Sequence, residues 1–326
     1  MRNWHGNLSP FGKWHTSSYG ALSAYAAYGF EPPLVLDFDA TYYRTDGTAT
    51  DLVSAATHTR AGNATMVDSD GVLKWAPHNL VPNSVSGFTG TNLTLDAATA
   101  PDGTNTAYLW VPTSTAFYHN ATQAVSYSGQ VTFSIYAKSF GHDYVNFGSR
   151  LTGGAGALNT QFSLVDGSVT LNSSSFFDES ATYVGDGWWF LEITTTDSSP
   201  QNFVVGACDQ GDIIKSVVDG TGVYFWGAHL YRSDLGGMVD NPSTGDSYVP
   251  TTSAAVYLPR LGHHIWNGSA WVDEGYLHES EARTNLITYS DMSSGFTEVA
   301  MDRLGAQEVG PDGQNSLSLY LSLIHI

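Results

Sequence analysis

The adjacent pair Trp188-Trp189 is the sharpest chemical feature of the sequence, because it opens a strand-like run. Side chains alternate along a strand, so Trp189 is predicted to face the core with Leu191. Trp188 then lies on the opposite face with Phe190 and Glu192. An aromatic ring beside a carboxylate suits a sugar, whose C–H face stacks on the ring while its hydroxyls meet polar partners. The alternative is that a loop covers Trp188.

Two further side chains join this candidate sugar site. Tyr136 lies on the same kind of strand face, opposite the apolar positions of the run Val131–Lys138. His229 is a weaker candidate, since a strand histidine is more often solvated or hydrogen-bonded within the protein. The predicted ligand-binding residues are Trp188, Tyr136, Phe190 and His229.

Glycoside hydrolase activity would need a pair of carboxylates. Glu179 and Glu192 are the two that such an enzyme could use. The separation of the two carboxyl groups decides that mechanism, and the sequence does not fix it. There is no Gly-x-Ser-x-Gly, Gly-rich phosphate loop or His-Glu-x-x-His in the chain. We therefore predict no catalytic residues and no enzyme activity.

Two short motifs resemble metal ligands. His263 and His264 are adjacent in a predicted loop, whereas a tetrahedral site needs several convergent ligands. Asp68–Gly71 resembles the start of a calcium loop but lacks the further ligands and the closing Glu, which favours a turn. No cofactor is predicted. A structural Ca²⁺ ion is kept as an alternative, with no ligands assigned to it.

The charge balance excludes several partners. The chain of 326 residues carries 12 Lys and Arg against 31 Asp and Glu, a net charge of -19. Nucleic acids and anionic membranes need a basic surface, so neither is an expected partner. No apolar run reaches the ~20 residues of a membrane span, and the N-terminus lacks a signal-peptide core, so synthesis in the cytoplasm is expected. One cysteine, Cys208, excludes a disulfide framework.

The pattern of short strands and Gly/Asp/Asn turns predicts an all-β protein built on an antiparallel β-sandwich of jelly-roll type. Only 13% of residues are charged, which is typical of strands and turns rather than helix surfaces. The most strand-like run is Gly222–Tyr231. Strict alternation puts Trp226, Ala228 and Leu230 on one face, and Phe225, Gly227 and His229 on the other. Both faces are apolar, so both must be covered.

The chain divides by composition into six predicted segments. They are a flexible arm at 1–33 with a short helix over Ser18–Tyr28, a strand and hairpin module at 34–78, the sandwich at 79–232, an irregular linker with a small hairpin over Asn267-Gly268 at 233–284, a truncated second sandwich at 285–320, and six foreign residues at 321–326. The last six match one reading frame of a transposon-end adapter used in sequencing libraries, so we expect a truncated fragment.

An internal repeat supports the second sandwich. Four short motifs recur at an offset that grows from 206 to 210 residues: Asn79-Leu80 as Asn285-Leu286, Ser86–Thr89 as Ser294–Thr297, Pro101–Gly103 as Pro311–Gly313, and Leu109-Trp110 as Leu319-Tyr320. The second copy stops within its first core strand, so it cannot close a sandwich by itself.

Four stretches together resemble tailed-phage virion proteins of the tail-fibre or head-fibre kind: Thr59–Leu73, Phe225–Leu230, Tyr248–Ala255 and Glu279–Ile287. These proteins carry concanavalin-like or carbohydrate-binding-module-like jelly rolls. The likeness spans roughly residues 34–320. It departs from the pattern at His229, where a polar amide is expected.

The resemblance implies a non-enzymatic virion protein whose jelly roll binds a host-surface polysaccharide. Other virion proteins are expected partners, and a homotrimer is consistent with fibres although no heptad repeat supports one. Two alternatives stay open. One is an assembly or spacer module without a glycan ligand, in which protein covers Trp188 and Tyr136. The other is a polysaccharide-degrading enzyme, in which two carboxylates converge in a groove.

Overall fold

The computed structural model of the protein describes residues 34–37, 42–45, 48–51, 59–113, 121–151, 157–172, 175–196, 201–212, 218–277, 301–309 and 315–322. These residues form strands, turns and loops, with no helix among them. None of the described segments could therefore cross a membrane as a helix. The arm at 1–33 and its predicted helix lie outside the described residues.

The described strands fall into two compact units. The strands are β1 Leu34–Asp37, β2 Tyr42–Thr45, β3 Thr48–Asp51, β4 Thr65–Val67, β5 Leu73–Trp75, β6 His78–Asn79, β7 Leu93–Ala98, β8 Ala107–Trp110, β9 Ala121–Val125, β10 Val131–Phe140, β11 Tyr144–Leu151, β12 Ala157–Ser163, β13 Val169–Asn172, β14 Phe177–Gly185, β15 Trp188–Thr195, β16 Gln201–Ala207, β17 Gly222–Arg232, β18 Val256–Tyr257, β19 His264–Trp266, β20 Trp271–Asp273, β21 Met301–Val309 and β22 Asn315–Ser322.

The smaller unit contains residues 66–71 and 259–277 together with β1–β3. Strands β1, β2 and β3 form an antiparallel sheet, and β19 pairs with β20 in the hairpin predicted over Asn267-Gly268. Asp68–Gly71 is a turn in which Asp68 Oδ1 accepts from Asp70 N at 2.9 Å, as the sequence favours. Trp266 and Trp271 of the hairpin are 54% and 37% exposed, and their ring centroids lie 5.7 Å apart.

The larger unit, which includes residues 72–258, contains the predicted sandwich. One antiparallel sheet has six strands in the order β14-β15-β10-β17-β8-β7, and the other has five in the order β13-β12-β11-β16-β9. The predicted fold class, an all-β antiparallel sandwich, is confirmed. The finer assignment to a jelly roll stays a prediction.

One hydrophobic core joins the two sheets. The six-stranded sheet supplies side chains such as Phe133 and Leu191, and the five-stranded sheet supplies Phe147 and Phe203, all fully buried. The alternation predicted for Val131–Lys138 is confirmed, since its predicted apolar positions all lie in this core. The opposite face of the six-stranded sheet, which we call the outer face, is therefore left to other contacts.

The prediction of strict alternation along β17 is wrong, because a β-bulge interrupts it at Gly227. Ser134 lies opposite His229 and Tyr136 lies opposite Trp226, so Ile135 faces two residues of β17. Gly227 has φ of 68°, the left-handed conformation that glycine adopts at such a bulge.

The bulge exchanges the faces of the strand beyond it. Phe225, Ala228 and Leu230 all lie in the core, whereas Trp226 packs in the outer-face cluster. The predicted grouping of Ala228 with Leu230 is therefore correct, whereas Trp226, on the other side of the bulge, lies on the opposite face. The extra residue turns His229 and Tyr231 to the outer face, in the same way that Trp226 faces outward before it.

The edge of β17 beyond the bulge is completed by residues 78–80 rather than by a full strand. Along β17, strand β8 pairs only with Val223–Phe225. Beyond it, Asn79 Nδ2 donates to Ala228 O at 3.1 Å, and Asn79 Oδ1 accepts from Leu230 N at 3.1 Å. The backbone N of Leu80 donates to Leu230 O at 2.8 Å. An amide side chain thus satisfies backbone groups that would otherwise be buried unpaired.

The segment after β17 folds back over the outer face. Tyr248 packs against Trp226 with ring centroids 4.8 Å apart, and its hydroxyl lies 2.9 Å from Ser84 Oγ. Thr251 donates from Oγ1 to Val81 O at 2.7 Å. Residues 233–258, predicted as part of an irregular linker, are thus bonded to the start of the sandwich.

The strand pair β21–β22 repeats the register of β7–β8. Three opposed pairs recur 210 residues along: Leu93–Trp110, Thr94–Leu109 and Ala98–Ala107 correspond to Arg303–Tyr320, Leu304–Leu319 and Glu308–Leu317. This offset is the one between the two Pro-Asp-Gly motifs. The register supports the repeat, while residues 285–300 lie outside the described part of the chain.

We expect Gly227→Ala to destabilise the protein by about 2–4 kcal/mol. A Cβ at this position would have positive φ and would lie 3.0 Å from the Tyr136 ring. Gly103→Ala is the matched control, because Gly103 also has positive φ but no neighbouring atom within 4 Å. Chemical denaturation of both variants measures the difference, and equal losses of stability would contradict a packing role for the bulge.

Candidate functional site

The outer face of the six-stranded sheet carries a cluster of aromatic rings. Tyr136 is central, with ring centroids 4.8 Å from Phe190 and 5.4 Å from Trp226. Strand β10 lies between β15 and β17, so the register sets these three rings side by side. Two of the four predicted ligand-binding residues, Tyr136 and Phe190, are in contact here.

A cavity of about 330 Å³ opens between this cluster and the returning segment. Its lining, which we call the acidic pocket, consists of Tyr136, Val184, Phe190, Glu192, Tyr231, Met238, Asp240, Asp246 and Ser247. A volume of this size lies at the lower end of the range of small-ligand sites. The lining combines three aromatic rings with three carboxylates.

Glu192 is half-buried on the floor of the acidic pocket. Tyr231 donates from its hydroxyl to Glu192 Oε1 at 3.3 Å, and Ser180 donates from Oγ to Oε2 at 3.3 Å. Burial raises the pKa of Glu192, and the nearby charge of Asp240 raises it further against the two hydrogen bonds. The carboxyl group therefore holds its negative charge at an electrostatic cost.

The charge of Glu192 raises the pKa of both phenols in the pocket. Burial raises the pKa of Tyr136 to about 12, and the charges of Asp246 and Glu192 add to the effect. The pKa of Tyr231 is also raised, first by burial and then by Glu192. Both phenols stay protonated at neutral pH. The Tyr136 hydroxyl can therefore donate a hydrogen bond to a ligand, whereas the single O–H of Tyr231 is donated to Glu192 and leaves its oxygen as an acceptor.

The returning segment presents Asp246 through a tight loop. Its Oδ1 accepts from Thr244 Oγ1 at 2.7 Å and from Tyr248 N at 3.0 Å. Asn241 Nδ2 donates to Tyr248 O at 2.8 Å across the same loop. These bonds fix the orientation of the Asp246 carboxylate within its loop.

Trp188 lies on the outer face, as alternation predicts, but not in the acidic pocket. It is only 3% exposed, and the Lys138 ammonium lies 5.9 Å from its ring centroid. A buried ring offers little area for stacking against a sugar. Its partner Trp189 packs against the core from the other face and donates from Nε1 to Leu164 O at 2.9 Å.

His229 is fully buried beneath the returning segment and does not line the acidic pocket. Its Nε2 donates to His78 O at 2.9 Å, and its ring centroid lies 6.1 Å from that of Tyr248. Burial lowers the pKa of His229 to about 3, so the imidazole is neutral. His229 is therefore a histidine that is hydrogen-bonded within the protein, which is the alternative that the sequence analysis weighed against a ligand-binding role.

The carboxylates Glu179 and Glu192 do not meet. Glu179 accepts a hydrogen bond from Asn172 of the five-stranded sheet and is not part of the pocket lining. Asp240 and Asp246 accompany Glu192 instead. The candidate hydrolase pair is therefore different from the one that the sequence suggests.

Neither metal-like motif gathers ligands. His263 Nδ1 accepts from Val67 N at 3.1 Å, and His264 Nδ1 lies 2.8 Å from Gly262 O. Among the described residues, no group of three or more His, Cys, Asp or Glu side chains could hold a metal ion.

Sequence reasoning missed Tyr231, Asp240 and Asp246. Tyr231 reaches the pocket only because of the bulge, and an isolated glycine within a strand pattern is the signal that could have indicated it. The two aspartates lie in a stretch without strand periodicity, and only the returning path of the chain brings them to the sheet.

Comparison with protein-family models and with curated proteins finds no match for this chain.

We expect His229→Gln to flatten the acid side of the stability curve. The folded pKa of about 3 lies below the unfolded value of 6.5, so stability present above pH 6.5 is lost as the pH falls toward 3. The loss approaches about 1.4 kcal/mol per pH unit within this window. Gln keeps a donor for His78 O but does not titrate.

Urea denaturation of the wild type and of His229→Gln at pH 7, 6, 5 and 4 measures the difference in slope. The carboxylates contribute equally to the pH dependence of stability in both proteins, so the difference in slope comes from the His229 imidazole. Parallel curves would show that His229 is not buried in the neutral form.

Proposed function

We propose that the protein is a non-enzymatic adhesion component of a phage virion, and that the acidic pocket of its sandwich binds a host-surface glycan. The observation that carries the proposal is the cavity of about 330 Å³, whose lining combines Tyr136, Phe190 and Tyr231 with Glu192. Aromatic faces match the C–H surfaces of a sugar, and carboxylates and phenols match its hydroxyls.

The setting follows from the sequence resemblance to tail-fibre and head-fibre proteins. A net charge of -19 fits an exposed appendage that stays soluble and does not adsorb to nucleic acid. Under this proposal the protein is made in the cytoplasm of the bacterial host and is then assembled with other virion proteins.

We expect Phe190→Ala to lower the affinity for a bound bacterial surface polysaccharide by roughly tenfold or more. The full chain is titrated against a panel of purified polysaccharides, and the affinity of the variant is measured on each one that the wild type binds. Phe190 is partly exposed at the pocket, so its removal takes away a stacking surface and little of the core.

Trp266→Ala is the control for this experiment. Trp266 is the most exposed tryptophan among the described residues that have burial values, and it lies in the other compact unit. Loss of binding in Trp266→Ala with normal binding in Phe190→Ala would assign the glycan to the hairpin instead. A folded wild type that binds no polysaccharide would favour the assembly or spacer module, which the burial of Trp188 and Tyr136 also suits.

A polysaccharide-degrading enzyme is the second candidate, because three carboxylates share the acidic pocket and one of them has a raised pKa. A protonated Glu beside an ionised Asp is the arrangement that glycoside hydrolysis uses. Glu192 would then be the general acid, with Asp240 or Asp246 as its partner.

We expect no release of reducing ends when the full chain is incubated with the polysaccharides that it binds. Release by the wild type that Glu192→Gln abolishes would replace adhesion with hydrolysis as the function. Glu179→Gln is the matched control, since it removes the same charge from the neighbouring strand but outside the pocket.

A further inference from the structure

The acidic pocket has a charge pattern that a neutral sugar does not require. Its ionisable lining residues are three carboxylates and two phenols, and the remaining lining residues are Val184, Phe190, Met238 and Ser247. There is no Lys, Arg or His in this lining. A ligand with a carboxylate, phosphate or sulfate group would meet like charge there.

Among the described residues, the elements that form the pocket contribute no basic side chain to its lining. Strands β14 and β15 and the returning segment at 233–258 contain no Lys or Arg. On β10, the Lys138 ammonium lies over Trp188. On β17, Arg232 is paired with Asp234 at 2.5 Å, and its guanidinium lies 4.7 Å from the Trp75 ring centroid.

The aromatic rings provide an independent reason to expect a cation. Tyr136 and Phe190 are tilted at 43° to each other with centroids 4.8 Å apart, and Tyr231 completes the aromatic lining. Ring faces attract ammonium groups, and several rings around one cavity are the arrangement that recognises organic cations. The carboxylates of Glu192 and Asp246 add charge-assisted hydrogen-bond acceptors at the same place.

We propose that the acidic pocket binds an organic ammonium group, either the protonated amine of an amino sugar or a quaternary ammonium substituent. The inference rests on the proposed function, because it names the chemical group by which the glycan is recognised. The raised pKa of Glu192 supports it, since a bound cation would offset the electrostatic cost of that half-buried carboxylate.

The test uses the full chain and four probes in calorimetric titrations at pH 7 and low salt. The probes are a glucosamine oligosaccharide with free amines, its fully N-acetylated counterpart, choline chloride and a glucuronic acid oligosaccharide. We expect the free-amine oligosaccharide or choline to bind at least tenfold more tightly than the N-acetylated probe, and the uronic acid probe not to bind. Comparison of the free-amine oligosaccharide with choline distinguishes the two sources of the ammonium group.

Variants that each remove one carboxylate charge test whether the preference for an ammonium group arises in the acidic pocket. Glu192→Gln is expected to weaken binding of the ammonium probe about tenfold, while Glu179→Gln leaves it unchanged. Asp240→Asn is the second variant, because Asp240 is exposed and its replacement leaves the folded state intact. It is expected to weaken binding in the same direction but by less.

The outcomes separate this inference from the proposed function. Equal affinity for the free-amine and N-acetylated probes would overturn ammonium recognition while glycan binding stands. Choline binding that Glu192→Gln weakens, with no polysaccharide bound, would support ammonium recognition and reject the glycan. An ammonium preference that survives both Glu192→Gln and Asp240→Asn would reject the pocket as its origin.

Discussion

The β-bulge at Gly227 is the constraint on which the site depends. One extra residue in β17 lets Phe225 and Leu230 both face the core, although strict alternation would put them on opposite faces. The same residue turns Tyr231 outward, where its hydroxyl reaches Glu192. The side chain of a larger residue at Gly227 would meet the Tyr136 ring, so the bulge and the pocket floor occupy adjacent space.

Residues 78–80 and the returning segment together hold the bulged strand in place. Asn79 donates to both Ala228 O and Val249 O, so one buried amide joins the start of the sandwich, its central strand and the segment that covers the outer face. Buried polar groups favour a unique arrangement only when their hydrogen bonds are satisfied, and this amide makes bonds through both of its polar atoms.

The acidic pocket forms where the returning segment leaves a gap above Glu192. Two of its carboxylates, Glu192 and Asp246, are positioned by hydrogen bonds from Ser180, Tyr231 and Thr244, which is the preorganisation that binding sites need.

The aromatic residues of the outer face divide by exposure into structural and accessible sets. Trp188, the most prominent aromatic in the sequence, is buried under Lys138 and its neighbours, whereas Phe190 two positions along borders the cavity. Both share a strand face, so alternation cannot distinguish them. What separates them is the local packing, because Trp188 is clustered with Ala100 and Ala107 whereas Phe190 borders the cavity. His229, packed against Tyr248 of the returning segment, is fully buried and neutral.

The sequence by itself determined the fold class and the core-facing positions of β10 and β15, because turn chemistry and two-residue alternation are local properties. The run Val131–Lys138 and the parity of Trp188 and Trp189 were predictable for this reason. It also singled out Tyr136 and Phe190, the two predicted ligand-binding residues that line the pocket. Only the tertiary structure decided that Tyr231, Asp240 and Asp246 join them. Their convergence depends on the bulge at Gly227 and on a loop without periodicity, and the two-residue alternation along a strand predicts neither.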